Sequence, residues 1–162
     1  PAALPQGALV ERGYKGQIYQ THAAANQAFL GVAGKAAEGA ILPVGPVSVV
    51  KQLPDSHPSK VSGVDFVTRY EAQYGAGSFS AFAGYAHDAF RLIEAAVPAA
   101  KAKGAPGTPE FRAALRDALE ASKEVVGVHG VFNMTPTDHF GLDDRSRVLI
   151  RIEGGAYKLV AQ

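Results

Sequence analysis

The sequence predicts an α/β fold, and three observations predict it. A strand–helix–strand rhythm with short turns runs through residues 17–44, three helical stretches follow one another between residues 59 and 120, and the end of the chain breaks into short β-like runs. At 162 residues, 47% hydrophobic and 19% charged, the chain holds enough apolar material for one domain or for a piece of a larger one.

The elements follow in order. Leu4 to Arg12 is a short amphipathic stretch, and Gly13 after it suits a helix C-terminus. Gln17 to Gln20 reads as a brief strand and THAA (Thr21 to Ala24) as the loop that leaves it. A helix from about Asn26 to Glu38 places Phe29, Val32, Ala33, Ala36 and Ala37 on one face, and Gly39 ends it. Ala40 to Val44 is a buried strand, and the βαβ order calls for a parallel sheet. Pro43, Pro46, Pro54 and Pro58 then punctuate a stretch, Gly45 to Pro58, that reads as an extended connector.

Three helices follow. Ser59 to Tyr74 carries apolar Val61, Val64, Phe66, Val67 and Tyr70. Ser80 to Val97 carries Phe82, Tyr85, Ala86, Ala89, Ile93, Ala96 and Val97 at three- and four-residue steps, which predicts that this face is packed. The third has Thr108 as its cap and Pro109 in its first turn, with Phe111, Leu115, Ala118 and Leu119 expected in the core. Val125 to Val128 and Val131 to Met134 are short strands. Arg147 to Ile152 alternates apolar and polar, and Gly154-Gly155 turns it into Ala156 to Val160. Crossings near Gly45 to Pro58 and near Glu124 to Gly130 suggest two lobes that exchange chain.

Composition excludes several classes of function. A formal net charge of +1 gives no field for nucleic acid or an anionic membrane surface. The absence of cysteine removes disulfides, thiolate nucleophiles and Cys-based zinc sites. No apolar run approaches the length needed to span a bilayer. Gly34-Lys35 is followed by Ala36, and Phe29 stands where a phosphate loop needs its first glycine. The GAG of Gly75 to Gly77 lacks the third glycine of a dinucleotide fingerprint, and no Gly-x-Ser-x-Gly elbow occurs. The histidines His22, His57, His87, His129 and His139 lack ligand-like spacing. His87 and Asp88 point about a hundred degrees apart on a helix, which favours a solvated or helix-packing role for both. Asp138-His139 lies in the turn-rich run Thr135 to Asp144, where Asp caps turns.

His22 stands apart because it lies at the carboxyl end of a strand and just before a helix. In open α/β sheets ligands bind outside such strand ends, and a helix N-terminus offers backbone N–H groups to a carboxylate. Position alone leaves two roles open for it: ligand contact, or a satisfied loop histidine. Spacing alone favours a packed helix face for Phe82 and Tyr85 over a ligand contact.

Four stretches resemble one family. They are GYKGQIYQTHAAANQAFLGVAGKAAEGAILPVGP (Gly13 to Pro46), FSAFAGYAHDAFRLIEAA (Phe79 to Ala96), GTPEFRAALRDALE (Gly107 to Glu120) and VVGVHGVFNMTPTDHFGLDDRSRVLIRIEGGAYKLV (Val125 to Val160). The family is the periplasmic substrate-binding proteins of branched-chain-amino-acid-type ABC transporters, also called leucine/isoleucine/valine-binding proteins. The resemblance covers essentially the whole chain, in order, but only about the C-terminal half of such a protein; the start at Pro1, without Met or a signal segment, fits a fragment.

The resemblance implies a type I periplasmic-binding-protein fold, with Rossmann-like lobes joined by hinge crossings and a ligand clamped between them. Residues 1–49 would form the second half of the C-terminal lobe, 50–124 part of the N-terminal lobe, and 125–162 the closing strands of the C-terminal lobe. Amino-acid-binding members carry a glutamate in the loop matching Thr21 to Asn26, where it pairs with the ligand's α-ammonium; here that position is His22. An imidazole cannot replace a carboxylate opposite an ammonium, so the expected ligand lacks that group, as an aromatic or aliphatic acid does. The ligand-binding residues so implied are Thr21, His22, Ala23 and Phe82, the last matching an aromatic that touches the ligand from the other lobe.

The implied role is a periplasmic, exported receptor that delivers a small molecule to an ABC permease, with no enzyme chemistry, no metal, no cofactor and no nucleic acid. A ligand-sensing regulatory domain of the same fold is the alternative, and a hydrolase using His22 or His139 is a weaker third. Half of each lobe is expected to need the remaining half, or a second copy of the chain, to cover its sheet edges and apolar helix faces.

Overall fold

The computed structural model describes residues 2–160. The first helix, α1, spans Ala3–Glu11, followed after an irregular run by α2 at Gln27–Ala33 and the strand β1 at Ile41–Val44. The helical block is α3 (Lys60–Tyr74), α4 (Ala81–Lys101) and α5 (Pro109–Glu120). The chain closes with β2 (Val125–Val126), β3 (Val131–Phe132), β4 (Val148–Glu153) and β5 (Ala156–Leu159).

The main sheet has the order β1-β4-β5 and is antiparallel throughout. Its register sets Leu42 opposite Ile150 and Ile152 opposite Tyr157. The alternation seen in the sequence of β4 becomes burial on one face: Val148, Ile150 and Ile152 point inward while Leu149 and Glu153 are exposed. The core gathers around Leu42, Ile150 and Ile152, which are fully buried, with Val44, Val47, Val50 and Phe29 packed about them. Gly154 and Gly155 both adopt positive φ in the β4–β5 turn, the region that favours glycine. The Glu38 carboxylate accepts hydrogen bonds from both of their N–H groups, tying this turn to the residue before Gly39.

Several expectations change. The strand foreseen at Gln17 to Gln20 reduces to one parallel bridge, Tyr19 with Ile41, held by Ile41 N–H donating to Ile18 and Gln20 N–H donating to Ile41. Among the described residues this is the one parallel contact, because no second strand continues the ladder beside it. The helix foreseen over Asn26 to Glu38 ends at Ala33, since Gly34 takes φ +50° and the chain continues as a short 3-10 turn, Gly34–Ala37. The Gly45 to Pro58 connector is not extended throughout. Pro46 sets the φ of a 3-10 turn over Pro46–Gln52, and burial of Val47, Val49 and Val50 holds it, with a kink at Val49. The Lys60 ammonium donates to the carbonyls of Lys51 and Leu53 at its end.

The helical block departs most from the pattern. The face of α4 that is buried carries Ala81, Gly84, Asp88, Leu92, Ala96 and Ala100. Most of the apolar stripe expected to be buried instead faces out: Phe82 is 65% exposed, and Tyr85 and Ile93 are exposed too, while Ala96 is buried as expected and Val97 half-buried. On α3, Val67 is buried but Val61 is exposed. On α5, Phe111, Leu115, Ala118 and Leu119 are half-buried, although Thr108 caps the helix as expected by accepting from the Phe111 N–H. On α1, Leu4, Leu9 and Val10 are exposed, so that stretch is not amphipathic in its packing. α4 thus has a packed face and a second, apolar face that the described chain leaves exposed.

Candidate ligand-binding site

The two segments expected to be crossings lie side by side, Gly45 against His129. The first runs through Gly45 into the 3-10 turn, and the second runs from β2 through Gly127, Val128 and His129 to β3. A Cβ on Gly45 would fall 2.2 Å from His129 Nδ1, and one on Gly84 would fall 2.8 Å from His129 Nε2. The absence of side chains at Gly45 and Gly84 therefore makes room for the imidazole.

Asp88 fixes this junction. It is buried on α4, and its carboxylate accepts from the Val128 N–H at 2.7 Å and the His129 N–H at 2.9 Å. A carboxylate that receives two backbone donors binds them more strongly than a neutral acceptor would. Ser62 adds a bond from α3 by donating to the Gly127 carbonyl. Asp88 thus has a packing role, as adjacency on the helix suggested, but one that joins the second crossing to α4. His87 stacks on Phe66, with ring centroids 4.4 Å apart.

The loop after Tyr19 is positioned from β5. The Tyr157 hydroxyl lies 2.8 Å from the Ala24 carbonyl and 3.0 Å from the Asn26 carbonyl, sharing its proton between them. Burial pushes the Tyr157 hydroxyl above its ordinary pKa, and its bond to Asn26 works the other way. Asn26 caps α2 by accepting from the Phe29 N–H, and its amide donates back to Ala23. This loop forms a 3-10 turn, His22–Ala24, with Thr21 at its cap.

His22 and α4 meet across this loop. His22 Nε2 is 2.9 Å from the Tyr85 hydroxyl, and the two rings meet edge-on at 6.1 Å. Tyr85 stacks face to face on His129, with centroids 4.0 Å apart and planes 9° from parallel. Phe82 approaches Tyr85 edge-on at 6.3 Å. His129 Nε2 is 3.0 Å from the Ala81 carbonyl, and its Nδ1 is buried without a partner among the described residues. Burial lowers the His129 pKa; the bond to Ala81 and the charge of Asp88 oppose that shift, while His22 adds to it. Burial also raises the Tyr85 pKa.

Of the residues singled out in the sequence, His22 and Phe82 come together around Tyr85. Thr21 and Ala23 contribute backbone carbonyls to the turn, accepting from Ala24 N–H and from the Asn26 amide. A cavity of about 380 Å³ opens between residues 25–27 and 77–81, with Ser48 and Tyr157 on its wall. Ser48 Oγ is buried there without a hydrogen-bond partner among the described residues. Tyr85, His129, Asp88 and Tyr157 were not foreseen as site residues. A buried Asp on an otherwise apolar helix stripe was the one signal the sequence carried for the Asp88 junction.

Asp138 acts as the turn residue its setting implied, its carboxylate accepting from the Phe140 and Gly141 N–H groups. His139 pairs with Glu120 at the surface. No described helix is long and apolar enough to cross a membrane.

Comparison with known proteins gives one consistent group. No protein-family model matches the chain, and no curated protein does. Among solved structures, an extracellular ligand-binding receptor from Rhodopseudomonas palustris HaA2 is 48% identical, with a TM-score of 0.92 over 99% of this chain. A protein provisionally assigned to branched-chain amino acid ABC transport in Rhodospirillum rubrum is 27% identical, with a TM-score of 0.70 over 98% of this chain. The leucine-binding protein LivK from Thermotoga maritima, at 18% identity and a TM-score of 0.76, shares the fold. The chain spans 45%, 41% and 40% of these three chains.

Proposed function

The chain belongs to the type I periplasmic ligand-binding receptors, the family that includes the binding proteins of branched-chain amino acid ABC transporters; from that premise we propose that the protein carrying it captures a small ligand between two lobes and delivers it to an ABC permease. Its relatives are binding receptors rather than enzymes. In this reading residues 1–49 and 125–162 belong to one lobe and 50–124 to the other. The protein acts outside the cytoplasmic membrane, and the remainder of a full-length receptor covers the exposed stripes of α3, α4 and α5.

The ligand we propose is a carboxylic acid without an α-ammonium, an aromatic acid above all. The observation that carries this is the 2.9 Å contact between His22 and Tyr85, which joins the 21–26 loop to α4 beside an exposed Phe82. A site presenting imidazole and phenol at this point supports an oxygen acceptor, because neither group supplies the negative charge an ammonium requires. Phe82 offers an aromatic face to the ligand's apolar part. The unpartnered Ser48 hydroxyl in the adjoining cavity adds a further polar contact. Thr21 and Ala23 complete the proposed set of ligand contacts, flanking and within the turn that holds His22.

Titration calorimetry on the intact gene product tests the reading. Binding of benzoate with little response to leucine is the expected result. Micromolar leucine binding with no response to carboxylic acids would remove it.

A further inference from the structure

We propose that Tyr85 is a positioning residue that fixes the tautomer of His22, so that the histidine presents an N–H donor at Nδ1 and the site favours an anionic oxygen over an ammonium. The inference rests on the carboxylate reading above and assigns its selectivity to a specific contact.

The position of Tyr85 is set from below. Its ring lies flat on His129 at 4.0 Å, and His129 is held in turn. A carbonyl can only accept, so the 3.0 Å contact with Ala81 places a proton on His129 Nε2. Gly45 and Gly84 leave space for that ring, since a Cβ at either would collide with it. Asp88 holds the backbone of His129 against the same helix. The phenol is thus delivered to a defined point, 2.9 Å from His22 Nε2.

Two arrangements satisfy that distance. In the first, the phenol donates to a bare Nε2, and His22 carries its proton on Nδ1. In the second, His22 Nε2–H donates to the phenol oxygen and Nδ1 becomes an acceptor. Each leaves one proton without a protein acceptor among the described residues, the His22 Nδ1–H in the first and the phenol O–H in the second, so donor and acceptor strength decides between them. The first pairs the stronger donor with the stronger acceptor, because a phenol O–H is more acidic than a neutral imidazole N–H and a bare imidazole nitrogen is more basic than a phenol oxygen. His22 Nδ1–H then has no protein acceptor among the described residues and is available to a ligand. A carboxylate oxygen accepts from it, whereas an ammonium meets it donor to donor.

The test uses the intact gene product with 15N-labelled histidine. Long-range proton–nitrogen spectra read the tautomer of His22 directly, and benzoate and benzylamine serve as ligand probes. The wild type should show the Nδ1–H form and prefer benzoate. Tyr85→Phe keeps the ring stacked on His129, so the melting temperature should hold. It should shift His22 toward the Nε2–H form and reduce the benzoate-over-benzylamine preference about tenfold, as loss of one hydrogen bond allows. An Nε2–H tautomer in the wild type, a measurement that needs no variant, overturns the role of Tyr85 even if benzoate binds. An Nδ1–H tautomer without benzoate binding overturns the carboxylate reading instead. An unchanged ratio in Tyr85→Phe overturns the claim of selectivity.

Discussion

The sheet and the helical block of this chain are built to different degrees of completion. In the sheet, β4 lies between β1 and β5, and its inward residues Ile150 and Ile152 are fully buried. In the helical block, α4 buries Leu92 and Asp88 among small residues and turns its aromatic ones outward, with Phe82 and Phe90 each more than 60% exposed. A strand needs a neighbour on each edge and a cover on one face, and here the chain supplies most of both. A helix on a three-layer α/β domain needs a sheet beneath it, and the described residues set against α4 the two-residue strand β2 and the turn that follows it rather than a sheet. One chain thus shows the same apolar patterning in a satisfied and in an unsatisfied form.

The largest effect separating the two regions should come from Ile150→Ala. It removes a fully buried side chain opposite Leu42, and the expected loss is about 3–5 kcal/mol, read from urea unfolding. A loss below about 1 kcal/mol would show that the sheet core is not what holds this unit together. Asp88→Ala comes next, at about 2–3 kcal/mol, because two buried backbone N–H groups lose a charged acceptor. If unfolding is unchanged, the junction of α4 with the second crossing contributes no stability.

A pH titration of stability sharpens the comparison at that same junction. The pKa of His129 in the folded state lies below the ordinary 6.5 because the ring is buried. Between the folded and unfolded values the unfolded chain binds more protons, so stability is full above pH 6.5 and falls as pH drops through the folded value. His129→Gln should flatten that slope; a slope that survives the substitution belongs to another group. At the acid end, Asp143 is held at about 2 by hydrogen bonds from Arg145. Its contribution is present above the ordinary 3.8 and is lost as pH falls toward 2, and it should disappear in Arg145→Met.

The smallest effect on folding should come from the helical block. Phe82→Ser with Ile93→Ser is expected to change the unfolding free energy of the 162-residue chain by under about 0.5 kcal/mol, since both side chains are exposed. The same pair should reduce self-association of that chain in light scattering, because the stripe it removes is the apolar surface the chain leaves open. A wild-type chain that is monomeric at all concentrations would remove the contrast between the two regions.

Much of the fold was legible from local signals. The alternation of β4, the Gly154-Gly155 turn and the Thr108-Pro109 start of α5 are written in adjacent residues, and each lies where the sequence puts it. The loop that carries His22 was legible as a local feature, although the strand expected before it is a single parallel bridge. Tyr85 and His129 were not. They stand 44 residues apart in sequence, and they stack because two glycines, Gly45 and Gly84, leave a space that no periodicity records. The stripe of α4 was misassigned for a related reason. Period 3.6 reveals apolar faces, but choosing between two of them depends on which neighbour is present.

By itself the sequence determined the helical block, the strands of the closing sheet, the Thr108 cap, the Gly154-Gly155 turn, the absence of cysteine chemistry and the loop in which His22 sits. These depend on backbone preferences and on residues a few positions apart. The tertiary structure alone decided which stripe of α4 is buried, that Asp88 binds the second crossing, and that Tyr85 reaches His22. Those outcomes rest on contacts between segments remote in the chain, whose energies come from burial and hydrogen bonding in one packed arrangement rather than from any local preference.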